Sequence, residues 1–91
     1  MQEFFMPESL IRKVLNKLKW DSQDLDECEI YFLHRGAPDD LKAYPGHKVK
    51  EIASSYLLFL DEEEEEVVIP FHRLRKIYNQ KTNQLIWEKN S

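Results

Sequence analysis

The sequence predicts an α+β fold: one N-terminal helix packed on a small curved, mainly antiparallel sheet of about five strands. Three observations carry that expectation. Apolar residues near the N-terminus (Leu10, Ile11, Val14, Leu15 and Leu18) recur on one side of a 3.6-residue period. Short runs rich in β-branched and aromatic residues follow, at 29–34, 56–60 and 67–69. Proline, glycine and aspartate punctuate the stretches between them. An apolar helix stripe and an apolar sheet face each need a partner, and laying one on the other satisfies both.

Taken in order, residues 1–7 are expected to form a flexible arm ahead of a single domain covering 8–89. Pro7-Glu8-Ser9 opens a helix over 8–19, since proline suits a first turn and Glu8 complements the positive end of the macrodipole. Arg12, Lys13, Asn16, Lys17 and Lys19 fall on the solvent side of that helix. An acidic connector, 21–27, leads to Ile30-Tyr31-Phe32-Leu33, which is apolar on both faces and reads as a central strand. His34-Arg35-Gly36-Ala37-Pro38-Asp39-Asp40 ends it with turn chemistry. A short strand at 41–44 stops at Pro45-Gly46. Val49, Ile52 and Ala53 share a helical face, so 47–53 is expected to form one or two helical turns. Strands 56–60 and 67–69 pair across 61–66, an acidic loop whose like charges should leave a mobile tip. Strands 74–78 and 85–87 make a last hairpin around 79–84. No internal repeat is read along the chain.

Ninety-one residues, 42% of them hydrophobic, are enough for one small core. Cys28 is alone, which excludes an internal disulfide framework and fits a reducing compartment. No apolar run approaches the roughly 18 residues of a membrane span, and residues 1–6 lack the pattern of a signal peptide. The expectation is a cytoplasmic protein, by default a monomer, that needs no membrane. Net charge is −4, but six of the 17 acids are consecutive at 61–66, and the remaining 11 face 13 basic residues. Outside that loop the chain carries a small basic excess, so a phosphate-bearing partner is compatible with the acidic total.

Two polar clusters sit where apolar strands end: His34-Arg35-Gly36 and, after the break made by Pro70, Phe71-His72-Arg73. Guanidinium forks match phosphate oxygens, imidazoles donate hydrogen bonds or relay protons, and a glycine amide can approach an anion closely. Tyr31, Tyr44 and Phe71 are candidates for stacking a base. The competing account makes Phe71 and Leu74 core residues, His72 a satisfied structural histidine and the arginines surface solubilisers. Both stay open from the residues alone. Other chemistry finds less support. The three histidines lack paired ligand spacing, so no metal is expected, and no nucleotide loop or hydrolase motif implies a cofactor. No catalytic residue is assigned. A phosphodiesterase with His34 and His72 as an acid–base pair is the alternative, although the paired H-x-[ST] motifs are absent, with His34-Arg35-Gly36 and His72-Arg73-Leu74 in their place. An adaptor that uses the acidic loop is a third reading.

The segments Leu18-Lys19-Trp20-Asp21, Tyr31-Phe32-Leu33-His34-Arg35-Gly36-Ala37-Pro38-Asp39-Asp40, Ile69-Pro70-Phe71-His72-Arg73-Leu74-Arg75-Lys76-Ile77 and Leu85-Ile86-Trp87, in that order, resemble the small archaeal DUF504 (UPF0248) family. That family is also described as the MJ1316-type RNA cyclic group end recognition domain. The resemblance runs from about residue 8 to residue 88, and H-R-G-A-P and I-P-F-H-R are its most specific parts. It implies a non-catalytic module that binds RNA 3′ ends, such as 2′,3′-cyclic phosphates, in RNA processing or repair. Carried over by residue, that role falls on His34, Arg35, His72 and Arg73, with Trp20 and Trp87 equally suited to the core. The long acidic loop departs from the family pattern and puts in doubt any RNA path across that hairpin.

Overall fold

The computed structural model describes residues 7–21 and 23–89. Helix α1 (Pro7–Asn16) continues into a π-helical turn (Lys17–Asp21). Ile11, Leu15 and Leu18 are buried and Val14 packs beside them, whereas Leu10 is exposed. The buried stripe is therefore narrower than its sequence spacing suggests, because Leu10 lies about 100° round the axis from Ile11. Trp20 points away from the core at 67% exposure, while Trp87 packs against it. Of the expected arm, Pro7 belongs to the helix and residues 1–6 lie outside the described ones.

Strands β1 (Cys28–Leu33), β2 (Leu41–Pro45), β3 (Val49–Ile52), β4 (Tyr56–Leu60), β5 (Glu66–Pro70), β6 (Leu74–Asn79) and β7 (Gln84–Glu88) follow. They form two antiparallel sheets instead of one, ordered β2-β1-β6-β7 and β3-β4-β5. The helix, expected on a single sheet, lies along β3. Arg12 Nε donates to the Ala53 carbonyl at 3.1 Å and Lys19 Nζ to the Lys50 carbonyl at 3.4 Å. Inward residues of both sheets, Ile30, Phe32, Leu74 and Ile77 with Leu57, Phe59 and Ile69, complete one core with the helix stripe.

The expected helical turns at 47–53 are mostly strand, and the error has a physical cause. A bulge between Val49 and Glu51 puts an extra residue into β3, opposite Phe59 and Leu58 of β4. Val49 and Ile52 pair with the inward residues Phe59 and Leu57, three positions apart, and so imitate the spacing of a helix face.

Two matching corners carry the chain between the sheets. Pro45 leads into the 3₁₀ turn Gly46–Lys48 and then β3, and Pro70 leads into the 3₁₀ turn Phe71–Arg73 and then β6. The sequences Pro45-Gly46-His47-Lys48-Val49-Lys50 and Pro70-Phe71-His72-Arg73-Leu74-Arg75 align position by position. This is a local repeat that residue patterns along the whole chain did not bring out. Both prolines have extended backbone (φ −69°, ψ 144° and φ −61°, ψ 147°) and neither is needed as a donor at the turn.

The acidic tip folds back on its own first residue. β5 already begins at Glu66, and one Asp61 carboxylate oxygen accepts the amides of Glu63 at 2.8 Å and Glu65 at 2.9 Å. A side chain that closes its own turn in this way offsets part of the charge repulsion.

Candidate functional site

The two polar clusters lie at the same end of the four-stranded sheet. Phe32 of β1 pairs with Leu74 of β6, so the loop leaving β1 and the corner entering β6 are neighbours. Arg73 closes the gap: its Nη2 donates to the Leu33 carbonyl at 2.8 Å. One N–H is used there, and a guanidinium carries five. Lys89, just beyond β7, joins from the other side. Its Nζ donates to the His72 carbonyl at 2.9 Å and its amide to the Arg75 carbonyl at 2.8 Å.

A shallow depression of about 400 Å³ is lined by His34, Arg35, Gly36, Ala37, Pro38, Leu41 and Lys42. A second, of about 200 Å³, is lined by Leu33, Asp39, Leu41, Arg75, Lys76, Glu88 and Lys89. Leu41 borders both, so the two depressions adjoin at that residue along the rim of the sheet. Arg75 and Lys76 share a side because a bulge against Tyr31 and Phe32 inserts Arg75 into β6. His34, Arg35, Lys42, Arg75, Lys76 and Lys89 thus outnumber the acids Asp39 and Glu88 in these linings.

Individual residues differ from expectation. Gly36 takes φ +92°, a conformation that favours glycine, but its amide points at the Asp40 carboxylate at 3.4 Å. An anion approaching that amide would meet Asp40. The His34 ring packs edge-on to Phe32 with centroids 6.3 Å apart, and its exposed side chain borders the first depression. His72 is exposed on the adjoining corner but does not line that depression, so the two imidazoles share one end of the sheet without sharing a cavity.

Phe71 is no stacking residue. It is 2% exposed, because the corner turns it into the core. Tyr44 is half-buried between Phe32 and Phe59, at centroid distances of 5.2 and 5.1 Å, with Lys42 over its ring. Tyr31 lies on the outer face of β1, and its hydroxyl donates to Glu29 at 2.9 Å. That hydrogen bond, then burial and the Glu29 charge, push its pKa up. Sequence reasoning missed Lys42, Arg75, Lys76 and Lys89. Only strand register brings them to the rim, although the run Arg73-Leu74-Arg75-Lys76 was a visible hint. Among the described residues, no group of three or more histidine, cysteine or acidic side chains is placed to hold a metal ion. Nor, among the described residues, is any helix long and apolar enough to cross a membrane.

Residues 9–89 match the family model described as "MJ1316 RNA cyclic group end recognition domain". The chain belongs to this family. Its relatives include a UPF0248 protein of Methanococcus maripaludis strain C7, 35% identical over 81 residues, spanning 88% of this chain and 99% of the relative. The UPF0248 protein MJ1316 of Methanocaldococcus jannaschii is 32% identical over 88% of this chain and 94% of its own length. A UPF0248 protein of Saccharolobus islandicus strain M.14.25 is 26% identical over 87% of this chain and 98% of its own. No solved structure matches the chain. The matched span takes in both corners, the loop after β1 and Lys89, so every segment of the rim lies inside the family's own extent.

Proposed function

We propose that this protein is a non-catalytic RNA-binding module that recognises RNA 3′ termini, with a 2′,3′-cyclic phosphate as the preferred end. The observation that carries the reading is the Arg73–Leu33 hydrogen bond, which joins the two clusters into one basic rim. The family description supplies the ligand class. A cyclic phosphate is a compact monoanion with two free oxygens, and a guanidinium fork engages such a pair through parallel N–H donors. Arg73 is pre-oriented by its bond to the Leu33 carbonyl, which lowers the ordering cost of binding. Arg35, exposed at the first depression, supplies a second fork, and His34 supplies a donor beside it. His72 borders the same end from the corner.

The test uses end-labelled oligonucleotides that differ only in a cyclic-phosphate, linear-phosphate or hydroxyl 3′ end. Binding and product are measured in the same samples. The reading expects tightest binding to the cyclic end, no turnover, and affinity that falls as salt rises. Turnover that disappears in His72→Gln while affinity survives would replace the module by a phosphodiesterase. Equal, negligible binding to all three ends would overturn both.

A further inference from the structure

The four-stranded sheet has one face in the core, and among the described residues no helix or second sheet packs on the other. Its two central strands present aromatic side chains on that outer face. Tyr31 of β1 lies opposite Lys76 of β6, and Glu29 lies opposite Tyr78. Tyr31 and Tyr78 are therefore diagonal neighbours, a separation that aromatic side chains can bridge. Lys76 Nζ sits 4.7 Å from the Tyr31 ring centroid, and the Tyr78 hydroxyl donates to Asn83 at 3.1 Å. Leu33, two residues along from Tyr31 on the same face, is 38% exposed and borders the basic rim. Charge differs along the face: at the Leu33 end Arg75, Lys76 and Lys89 outnumber Asp39 and Glu88, while Glu29 lies beside Tyr31 and Tyr78.

We propose that this face is a stacking platform for single-stranded RNA, with the base next to the strand's terminus on Tyr31 and the following one on Tyr78. This rests on the reading that an RNA end is the ligand. Tyr31 is about 7 Å along β1 from Leu33, whose carbonyl holds Arg73. That spacing suits one nucleotide between an end held at the rim and a base on the ring. Sheets that read single-stranded RNA present aromatic side chains in this manner, and stacking tolerates any base. Lys76 already makes a cation–π contact with the ring, and when a base arrives its ammonium swings to the adjoining phosphate. The charge difference gives the strand a direction, with phosphates drawn to the Leu33 end and away from Glu29.

Fluorescence anisotropy with a labelled decanucleotide bearing a cyclic-phosphate end, set beside competition by a mononucleoside 2′,3′-cyclic phosphate, tests the platform. Tyr31→Leu keeps an apolar side chain but removes the ring, while Tyr31→Phe keeps the ring and removes the hydroxyl. Melting curves confirm that both variants are folded. The expected result is roughly a tenfold loss of decanucleotide affinity in Tyr31→Leu, retention in Tyr31→Phe, and unchanged mononucleotide affinity in both. Lys76→Gln should lower the slope of log affinity against log salt by about one. Unchanged decanucleotide binding in Tyr31→Leu, with end preference intact, overturns the platform and leaves the end site standing. A Tyr31-dependent affinity that ignores the end group keeps the platform and removes the end site. A change of sedimentation in Tyr31→Leu without a change in RNA affinity assigns the face to a second copy of the chain and overturns the proposal.

Discussion

The two corners share a backbone and a sequence pattern, yet the molecule uses them differently. At the first, the residue after proline is Gly46, buried so tightly that an added Cβ would run into the Leu25 carbonyl. At the second, the same position is Phe71, which fills the core. The basic residue two places on also diverges. Lys48 lines a cavity of about 490 Å³ together with Lys42, Asp61, Glu62 and Glu63, so acidic side chains share its surroundings even though Lys42 also borders the rim. Arg73 reaches the Leu33 carbonyl and lies among Arg75, Lys89 and the loop after β1. A Pro-x-His-basic corner is thus a way of moving a chain between sheets. What it does chemically depends on which loop it faces.

The largest expected effect tests the structural half of that contrast. Phe71→Ala should cost about 3–5 kcal/mol, as a buried aromatic truncated in a close-packed core does. Urea unfolding measures it, and a loss under about 1 kcal/mol would mean that the second corner does not anchor the core. The first corner should fail in the opposite direction, by crowding. Gly46→Ala should cost about 3 kcal/mol, the upper end for small-to-large changes, because the obstacle is backbone and cannot rotate away. A neutral Gly46→Ala would show that the close approach to Leu25 is not maintained.

Alkaline pH separates the corners without a mutation. Gly46–Lys48 packs on the turn Leu25–Glu27, which leads directly into Cys28. Burial, and then the charges of Asp24 and Glu27, push the Cys28 thiol up from 9.0 to about 11, and its Sγ donates to the Asp24 carbonyl at 3.4 Å. Below pH 9 both folded and unfolded states keep the proton and the contribution is complete. Between about pH 9 and 11 only the unfolded thiol loses its proton, so stability falls by on the order of 2 kcal/mol. Thermal melts of wild type and Cys28→Ala across that range should converge as pH rises. Hydrogen exchange should increase at 46–49 before 71–74. Parallel melts at every pH would contradict the buried, protonated thiol.

Much of the scaffold was legible in the sequence. The helix, the 56–60 and 67–69 hairpin and the final hairpin each announce themselves through local periodicity or turn residues. What stayed hidden depends on register. The bulge at Val49–Glu51 disguised a strand as a helix face, because a single inserted residue converts a period of two into a gap of three. The split into two sheets follows from two 3₁₀ corners whose prolines read equally well as plain strand ends. Of the candidate site, His34, Arg35, His72 and Arg73 could be named because they lie in two short segments. Lys42 and Lys89, distant in sequence, could not. The acidic loop was conspicuous for the opposite reason, since a contiguous run shows in the sequence whether or not the fold uses it.

Under the proposed function one corner serves an RNA end and its twin does not. Arg73→Ala and Lys48→Ala each remove one positive charge from the equivalent position of the two corners. Affinity for a cyclic-phosphate oligonucleotide, measured for both variants over a series of salt concentrations, compares them directly. About a tenfold loss is expected for Arg73→Ala with a salt slope lower by about one, and wild-type behaviour for Lys48→Ala. Equal losses in the two variants would contradict this reading, because RNA would then be responding to charge wherever it lies and not to the rim that Arg73 joins.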